Sequence, residues 1–474
     1  MIPIELHYTG HPLIDIGIAA ASAYAKRRTP QEVTADDLSA LAGDLTRWYT
    51  EFSGVQRFLS VIFMNATFVQ NSTLEKKQEY AQSVLHAFHQ DRLAEEGEVR
   101  CTFFPERAAL MTATRKHIPL LNGESTGNFS ANGQPGLPMS GLAMLAIHTM
   151  PLGCLKTGHL LGFHQLPAPG QPDLNVILAK SAVDLNLASI SLMTSEEGDM
   201  QSYGSYQRTR YIEKLLATRR DLVRKKEVRS DQQILKNVTG FYFTNYGPSP
   251  KIEILKLLNS VGAFIERADI DHPDSWNRLI AANWQPVKGE EEVPSANVEH
   301  RGRRNFVFEQ LFDTATQPMR LGQRLITHGD WALVRLFLEE IINMQQKEID
   351  NLYAVGTKLA HYMDLNDVSS KGLSWGFYHQ LKIAKPGKLR ALIRSANESL
   401  SRKNRAEFMV TVPELLLAFY RAEGYGDFYL ARDIVAMVVF DTLHTLGHVM
   451  GKAVPEEDDD IATQYAAIPE ESEV

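Results

Sequence analysis

From about residue 305 onward, apolar residues recur at helical spacing almost without a break, and this periodicity constrains the fold more than any other feature. The segments 331–352, 388–405, 412–423 and 427–447 each alternate core-facing and charged positions. Such a run reads as an antiparallel C-terminal α-helical bundle over 301–454. The opposite end is also mainly helical, over 1–95. There Thr34 and Asp37 form an N-cap signal before an apolar face of Leu38, Leu41, Leu45, Trp48, Phe52 and Val55, and 75–94 is a second helical stretch.

Between these regions, glycine and proline rise from Pro119 to Pro172 and the periodicity disappears. Loops of that length inside a compact domain are usually functional or wrapped around a partner. Strand-like content follows at 174–195 and 238–246. A break at 247–250 then precedes an expected amphipathic helix over 252–266, and a linker is expected at 287–295. The expected class is therefore α+β, with an irregular mixed α/β middle over 96–300. At 474 residues the chain exceeds the ~250–300 at which one core stops growing, so several domains are expected.

The net charge of −8 is unevenly placed. Residues 455–474 hold eight acidic groups and no Lys or Arg, which marks an acidic disordered tail and leaves the rest of the chain neutral. Basic groups cluster at 207–236, ten against four acids, and at 371–405, nine against one. A run of like charge is usually a solvated face, but two on a neutral body point toward a polyanion partner. In the first cluster, Arg208, Arg210, Arg219, Arg220, Arg224, Lys225 and Lys226 interleave with Tyr203, Tyr206 and Tyr211, a mixture suited to phosphates and stacked bases. The second offers Lys382, Lys385, Lys388, Arg390, Arg394, Arg402 and Arg405. In the glycine-rich loop, Asn128, Asn132 and Gln134 could read base edges or simply stabilise turns.

Motifs for catalysis are weak. His444 and His448 stand one turn apart, as zinc ligands do in metalloproteases, but Thr445 replaces the catalytic glutamate and Gly447 weakens the helix. Cys154, His159 and His164 could join Cys101 in a four-ligand set, although the spacing is loose. Asp15 reads as a turn or capping group. The first residues show neither a basic leader nor an apolar signal core, and two cysteines cannot build a disulfide framework, so a cytoplasmic location is expected. No membrane association, catalytic residue, cofactor or metal is expected.

Several blocks in order resemble the large subunit of type I CRISPR effector complexes (Cascade), in the type I-B-like branch with paired CXXC sequences. They are Thr9-Gly-His-Pro-Leu-Ile-Asp-Ile-Gly-Ile-Ala-Ala20, Cys101-Thr-Phe-Phe104, Ile118-Pro-Leu-Leu-Asn-Gly123, Gly127-Asn-Phe129, Gly136-Leu-Pro-Met-Ser-Gly-Leu142, Met150-Pro-Leu-Gly153 and Phe241-Tyr-Phe-Thr-Asn-Tyr-Gly-Pro-Ser-Pro-Lys-Ile252. The likeness covers scattered parts of 7–265. It implies that Cys101-Thr-Phe-Phe104 and Met139-Ser-Gly-Leu142 stand where the family has its CXXC pairs, so three of four thiolates are absent. The expectation is a degenerate zinc-finger-like segment in which Phe104, Met139 and Leu142 pack in place of an ion and Cys101 is a buried remnant.

The resemblance further implies a non-catalytic subunit with guide RNA, target double-stranded DNA and other Cascade subunits as partners. It would recognise the protospacer-adjacent motif, contact the 5′ handle of the guide and stabilise the R-loop. Asn128, Asn132 and Gln134 would then be the base-edge candidates, the first basic cluster would hold duplex or handle phosphates, and the small-subunit-like bundle would guide the displaced strand. Met344 or Met363 could start a separate C-terminal product. A helicase-nuclease or transposition proteins would be recruited, for interference or RNA-guided transposition respectively. Two rival readings stay open: a metal-dependent hydrolase using the Cys/His set, and a stand-alone DNA-binding regulator.

Overall fold

The computed structural model describes residues 5–119, 136–166, 172–193, 197–229, 232–235, 238–245, 250–285, 302–328, 330–366, 373–419 and 426–448. The chain divides into two compact units, Met1–Ile341 and Ile342–Val474. The class is α+β with a helical C-terminal region, as expected.

The first unit opens with helices α1 (Pro12–Tyr24), α2 (Ala35–Glu51), α3 (Ser53–Ser60) and α4 (Leu74–Leu85). Helix α1 is apolar nearly all round, and everything from Leu13 to Ala23 is buried. A helix of that kind belongs in a core rather than on a surface. Helix α2 starts where the N-cap signal placed it: Thr34 Oγ1 accepts from the Asp37 amide at 3.2 Å, and the Asp37 carboxylate accepts from the Thr34 amide at 2.9 Å. It ends sooner than expected, because Phe52 adopts an extended backbone and Val55 belongs to α3.

Next come strands β1 (Met111–Ala113) and β2 (Leu137–Met139), which pair antiparallel, and α5 (Gly141–Thr149). Helices α1 and α5 cross so closely that a Cβ on Gly17 would lie 1.8 Å from the Ala146 carbonyl oxygen, so only glycine fits there. Strands β3 (Leu155–Thr157) and β4 (His159–His164) follow, then α6 (Leu174–Ser191), α7 (Gln207–Arg224), β5 (Thr239–Thr244) and β6 (Lys251–Lys256). The four strands form one antiparallel sheet in the order β3-β4-β5-β6. The unit closes with α8 (Asn259–Asp271), α9 (Pro273–Ala282), α10 (Phe306–Leu311), α11 (Pro318–His328) and α12 (Trp331–Glu340).

Three expectations are corrected. The stretch 174–195 is not strand: α6 is capped by Asp173, which accepts from the Val176 amide at 3.2 Å. Its apolar run satisfies a helix buried on several sides, where Asn175 pairs with Gln165 through both backbone groups at 2.7 Å. The expected helix over 252–266 begins as a strand instead, because Lys251-Ile-Glu-Ile254 alternates with period two and 251–256 finds β5 as its partner. The single helix over 331–352 is two, broken where Asn343 takes a left-handed φ of 54° and Glu348 folds back on the Gln345 amide at 3.1 Å.

The second unit contains α13 (Gln346–Leu365), α14 (Leu373–Lys382), α15 (Pro386–Arg402), α16 (Val412–Phe419) and α17 (Gly426–Thr445). Leu352, Leu359 and Met363 on α13 are buried in the same unit as Ile434, Val435 and Val438 on α17, and α13 and α17 form its most extensive helix pair. The expected acidic tail lies outside the described residues. No described helix is long and apolar enough to cross a membrane.

His148 sits at the centre of the first unit's core. Its Nδ1 lies 2.8 Å from the Met144 carbonyl, which makes it the donor, and its ring stacks on Phe63 at 4.8 Å. Burial pushes its pKa down to about 3. Between that value and the ordinary ~6.5 the unfolded chain binds a proton that the folded chain refuses, so stability falls as pH falls through this window. This single group is expected to remove about 2 kcal/mol between pH ~7 and pH ~5. Denaturant midpoints of the wild type and His148→Phe at the two pH values check this; equal pH slopes would refute it.

Candidate nucleic-acid interface

Asn128, Asn132 and Gln134 lie outside the described residues, as does Gly123-Glu-Ser-Thr-Gly127, which has the spacing of a nucleophile elbow.

The two segments flanking this loop are tied together. The Thr102 amide donates to the Pro138 carbonyl at 2.9 Å, and the Leu110 amide donates to the Met139 carbonyl at 2.9 Å. Cys101 is buried, and its Sγ accepts from the Phe104 amide at 3.4 Å and from Ser140 Oγ at 3.3 Å. Phe104, Met139 and Leu142 are buried in the same apolar cluster. The arrangement is a turn whose sulfur is satisfied by local donors and whose other three positions are packed with carbon.

Cys154, His159 and His164 are not brought together as ligands. Residues 159 and 164 are five apart on β4 and face opposite sides of the sheet. The Cys154 thiol is fully buried and its pKa is driven up by desolvation. His164 Nε2 instead bonds Asp15 Oδ2 at 3.0 Å, and His159 leans on Tyr242. No cluster of three His, Cys, Asp or Glu suited to a metal occurs among the described residues. Asp15 caps a turn, as expected, by accepting from the Thr9 and Gly10 amides at 2.7 and 2.9 Å. Of the other histidine pair, His448 bonds Asp364 at 2.8 Å.

The first basic cluster is largely spent on the fold. Helix α7 buries Tyr211, Ile212, Leu215, Leu216 and Leu222, and Arg219 falls on that face. Arg219 Nη1 reaches Asp269 at 3.0 Å, and Arg220 shares the same carboxylate. Arg210 is 2% exposed, grips Glu213 and the Arg303 carbonyl, and lies over the Trp284 ring. Arg208 joins Glu253 and Asp313 at 3.3 and 3.1 Å. Tyr211 donates to the Val238 carbonyl at 2.6 Å and is a core residue, not a stacking platform. The cations that α7 leaves exposed are Arg220, held by Asp269, then Arg224 and Lys225, both paired with Asp221, and Lys226 just past its end with a left-handed φ of 58°. A guanidinium buried against a carboxylate is neutralised and cannot also meet a phosphate.

The second cluster is arranged differently. On α15, Leu389, Ile393, Ala396 and Leu400 face inward, while Arg390, Arg394, Asn397 and Ser401 form the adjoining face. Opposite that face runs 409–415, and the two enclose an open groove of about 610 Å³. Asn397 fixes the groove's width: its amide donates to the Val410 carbonyl at 2.8 Å and accepts from the Val410 amide at 2.9 Å. The far wall is anchored by Glu414, which takes Lys358 Nζ at 2.6 Å and the Thr411 amide at 2.8 Å. Burial alone would raise the Glu414 pKa, but those bonds outweigh it and hold the carboxyl below its usual range.

Arg390, Arg394 and Arg402 line the groove, Ile393, Val410 and Leu415 floor it, and Glu398 is its one carboxylate. Lys382, Lys385, Lys388 and Lys403 are exposed on the same unit. Among the described residues, Lys385, Lys388, Arg394 and Arg402 carry no ion pair. Arg405 pairs with Glu407 at 2.7 Å and lies over Phe408. Sequence periodicity placed the cations on one helix but missed the opposing wall and its exposed apolar rim of Val412 and Leu416. No protein-family model matches the chain, and neither a curated protein nor a solved structure matches it.

Proposed function

We propose that the chain is a non-catalytic subunit of an RNA-guided DNA-targeting assembly of the type I Cascade kind, acting as its large subunit. The observation that carries the reading is the α15 groove, where Arg390, Arg394 and Arg402 stand along an apolar floor. Cations spaced one and then two turns apart along a helix can follow a phosphate chain, and the apolar floor accepts sugar or base faces. The sequence blocks over 7–265 supply the family part of the proposal. In this reading guide RNA reads sequence by pairing, while the protein reads a short flanking motif and holds the opened strands.

Co-expression with a guide RNA and the companion subunits tests it: the chain is expected to co-purify with both. Tight DNA binding with no RNA-containing partner would instead identify a stand-alone binder. Within the assembly, Asn128→Ala with Asn132→Ala is expected to weaken binding only to duplexes bearing the correct flanking motif, by ~1–3 kcal/mol per good base contact. Equal loss on all sequences would remove those residues as readers.

A further inference from the structure

The α15 groove has a candidate occupant within the same chain. Helix α17 ends at the C-terminal turn of α13, where His448 Nε2 bonds Asp364 Oδ1 at 2.8 Å. The end of α15 meets that same turn: Lys403 Nζ donates to the Leu365 carbonyl at 2.6 Å, and Ser399 Oγ donates to Asn366 at 3.3 Å. The chain therefore passes residue 448 beside the basic end of α15. Residue 456 follows eight positions later and opens the run Glu456-Glu-Asp-Asp-Asp460. Eight extended residues span up to roughly 28 Å, whereas Arg402 and Arg390 are only about 18 Å apart along the helix.

We infer that the acidic run 456–460 lies in the α15 groove, pairs with Arg394 and Arg402, and competes there with nucleic-acid phosphates. The competition rests on the nucleic-acid reading above; the docking itself does not. Single exposed ion pairs are weak, but a linker this short holds five carboxylates near the groove at millimolar effective concentration. The pairing is screened by salt, with a Debye length of about 10 Å at 0.1 M. A strand of DNA or RNA displaces the run only when it brings more phosphates than the run brings carboxylates, so short or stray strands are rejected.

The test uses the full chain, a chain ending at residue 454, and the full chain with Glu456→Gln, Glu457→Gln, Asp458→Asn, Asp459→Asn and Asp460→Asn. Affinity for a single-stranded oligonucleotide at low salt is expected to rise about 10-fold in both altered forms, with the gain vanishing near 0.5 M salt. In an Arg394→Ala, Arg402→Ala background the gain should fall below about 2-fold. A gain undiminished in that background would mean general repulsion and would overturn the inference. Without nucleic acid, carbodiimide should join carboxylates of 456–460 to Lys388 or Lys403; the absence of such links would also overturn it. Links found in a protein that binds no oligonucleotide in any form would leave the docking standing and refute the nucleic-acid reading instead.

Discussion

Replacing Arg390, Arg394 and Arg402 together with alanine is expected to weaken binding to DNA of any sequence by about 100-fold near 0.1 M salt, at about 1 kcal/mol for each exposed cation removed. The three line one groove with an apolar floor, so a strand that meets one meets the others. Phosphate contacts position a strand without reading it, hence the weakening should be equal across sequences. The slope of log affinity against log salt should fall by about 0.9 for each duplex phosphate that no longer meets an arginine, or about 0.7 on single strands. All three side chains are exposed, so the melting temperature should stay within experimental scatter. An effect confined to particular sequences, or an unchanged salt slope, would mean that the groove holds something other than a phosphate chain.

Asp15→Ala is expected to cost about 3–5 kcal/mol of stability in the first unit. The carboxylate is 1% exposed and accepts four hydrogen bonds: the Thr9 amide at 2.7 Å, Thr9 Oγ1 at 2.8 Å, the Gly10 amide at 2.9 Å and His164 Nε2 at 3.0 Å. Alanine leaves a buried imidazole and the two amides of a partly exposed turn without their acceptor, and for the imidazole that is costlier than the bond itself. The same carboxylate joins the entry turn of α1 to strand β4, so its removal frees the segment before α1 from the sheet. Asp15→Asn keeps the shape but turns an amide group toward donors, and should recover less than half of the stability. Urea midpoints for the three proteins measure this; a cost below about 1 kcal/mol would show that water or a rearranged turn replaces the acceptor. The opening block Thr9-Gly-His-Pro-Leu-Ile-Asp-Ile-Gly17 is thus explained by structure alone: Asp15 binds the turn and Gly17 lets α5 cross.

The difference between the two basic clusters shows where local reading stops. Both are dense in Lys and Arg, and composition ranks them alike. Arg219 stands four residues after Leu215 and three after Leu216, so its position on the buried face of α7 was legible from spacing. Its partner Asp269, fifty residues later, was not. Likewise the cationic face of α15 followed from period 3.6, but the wall that turns this face into a groove is set by Asn397 holding Val410.

Local pattern by itself determined the elements whose signals lie within a turn or two: the Thr34 cap, the strand within 238–246 and, apart from the break at Asn343, the helices of the last third. It also determined the separation of negative from positive charge along the chain, because that is a property of order alone. Only the tertiary structure decided which cations are neutralised, why 174–191 is helix and 251–256 strand, and that Cys101 is met by Ser140 and Phe104. These outcomes depend on partners distant in sequence, and an ion pair, a strand register or a buried face has no energy until that partner arrives.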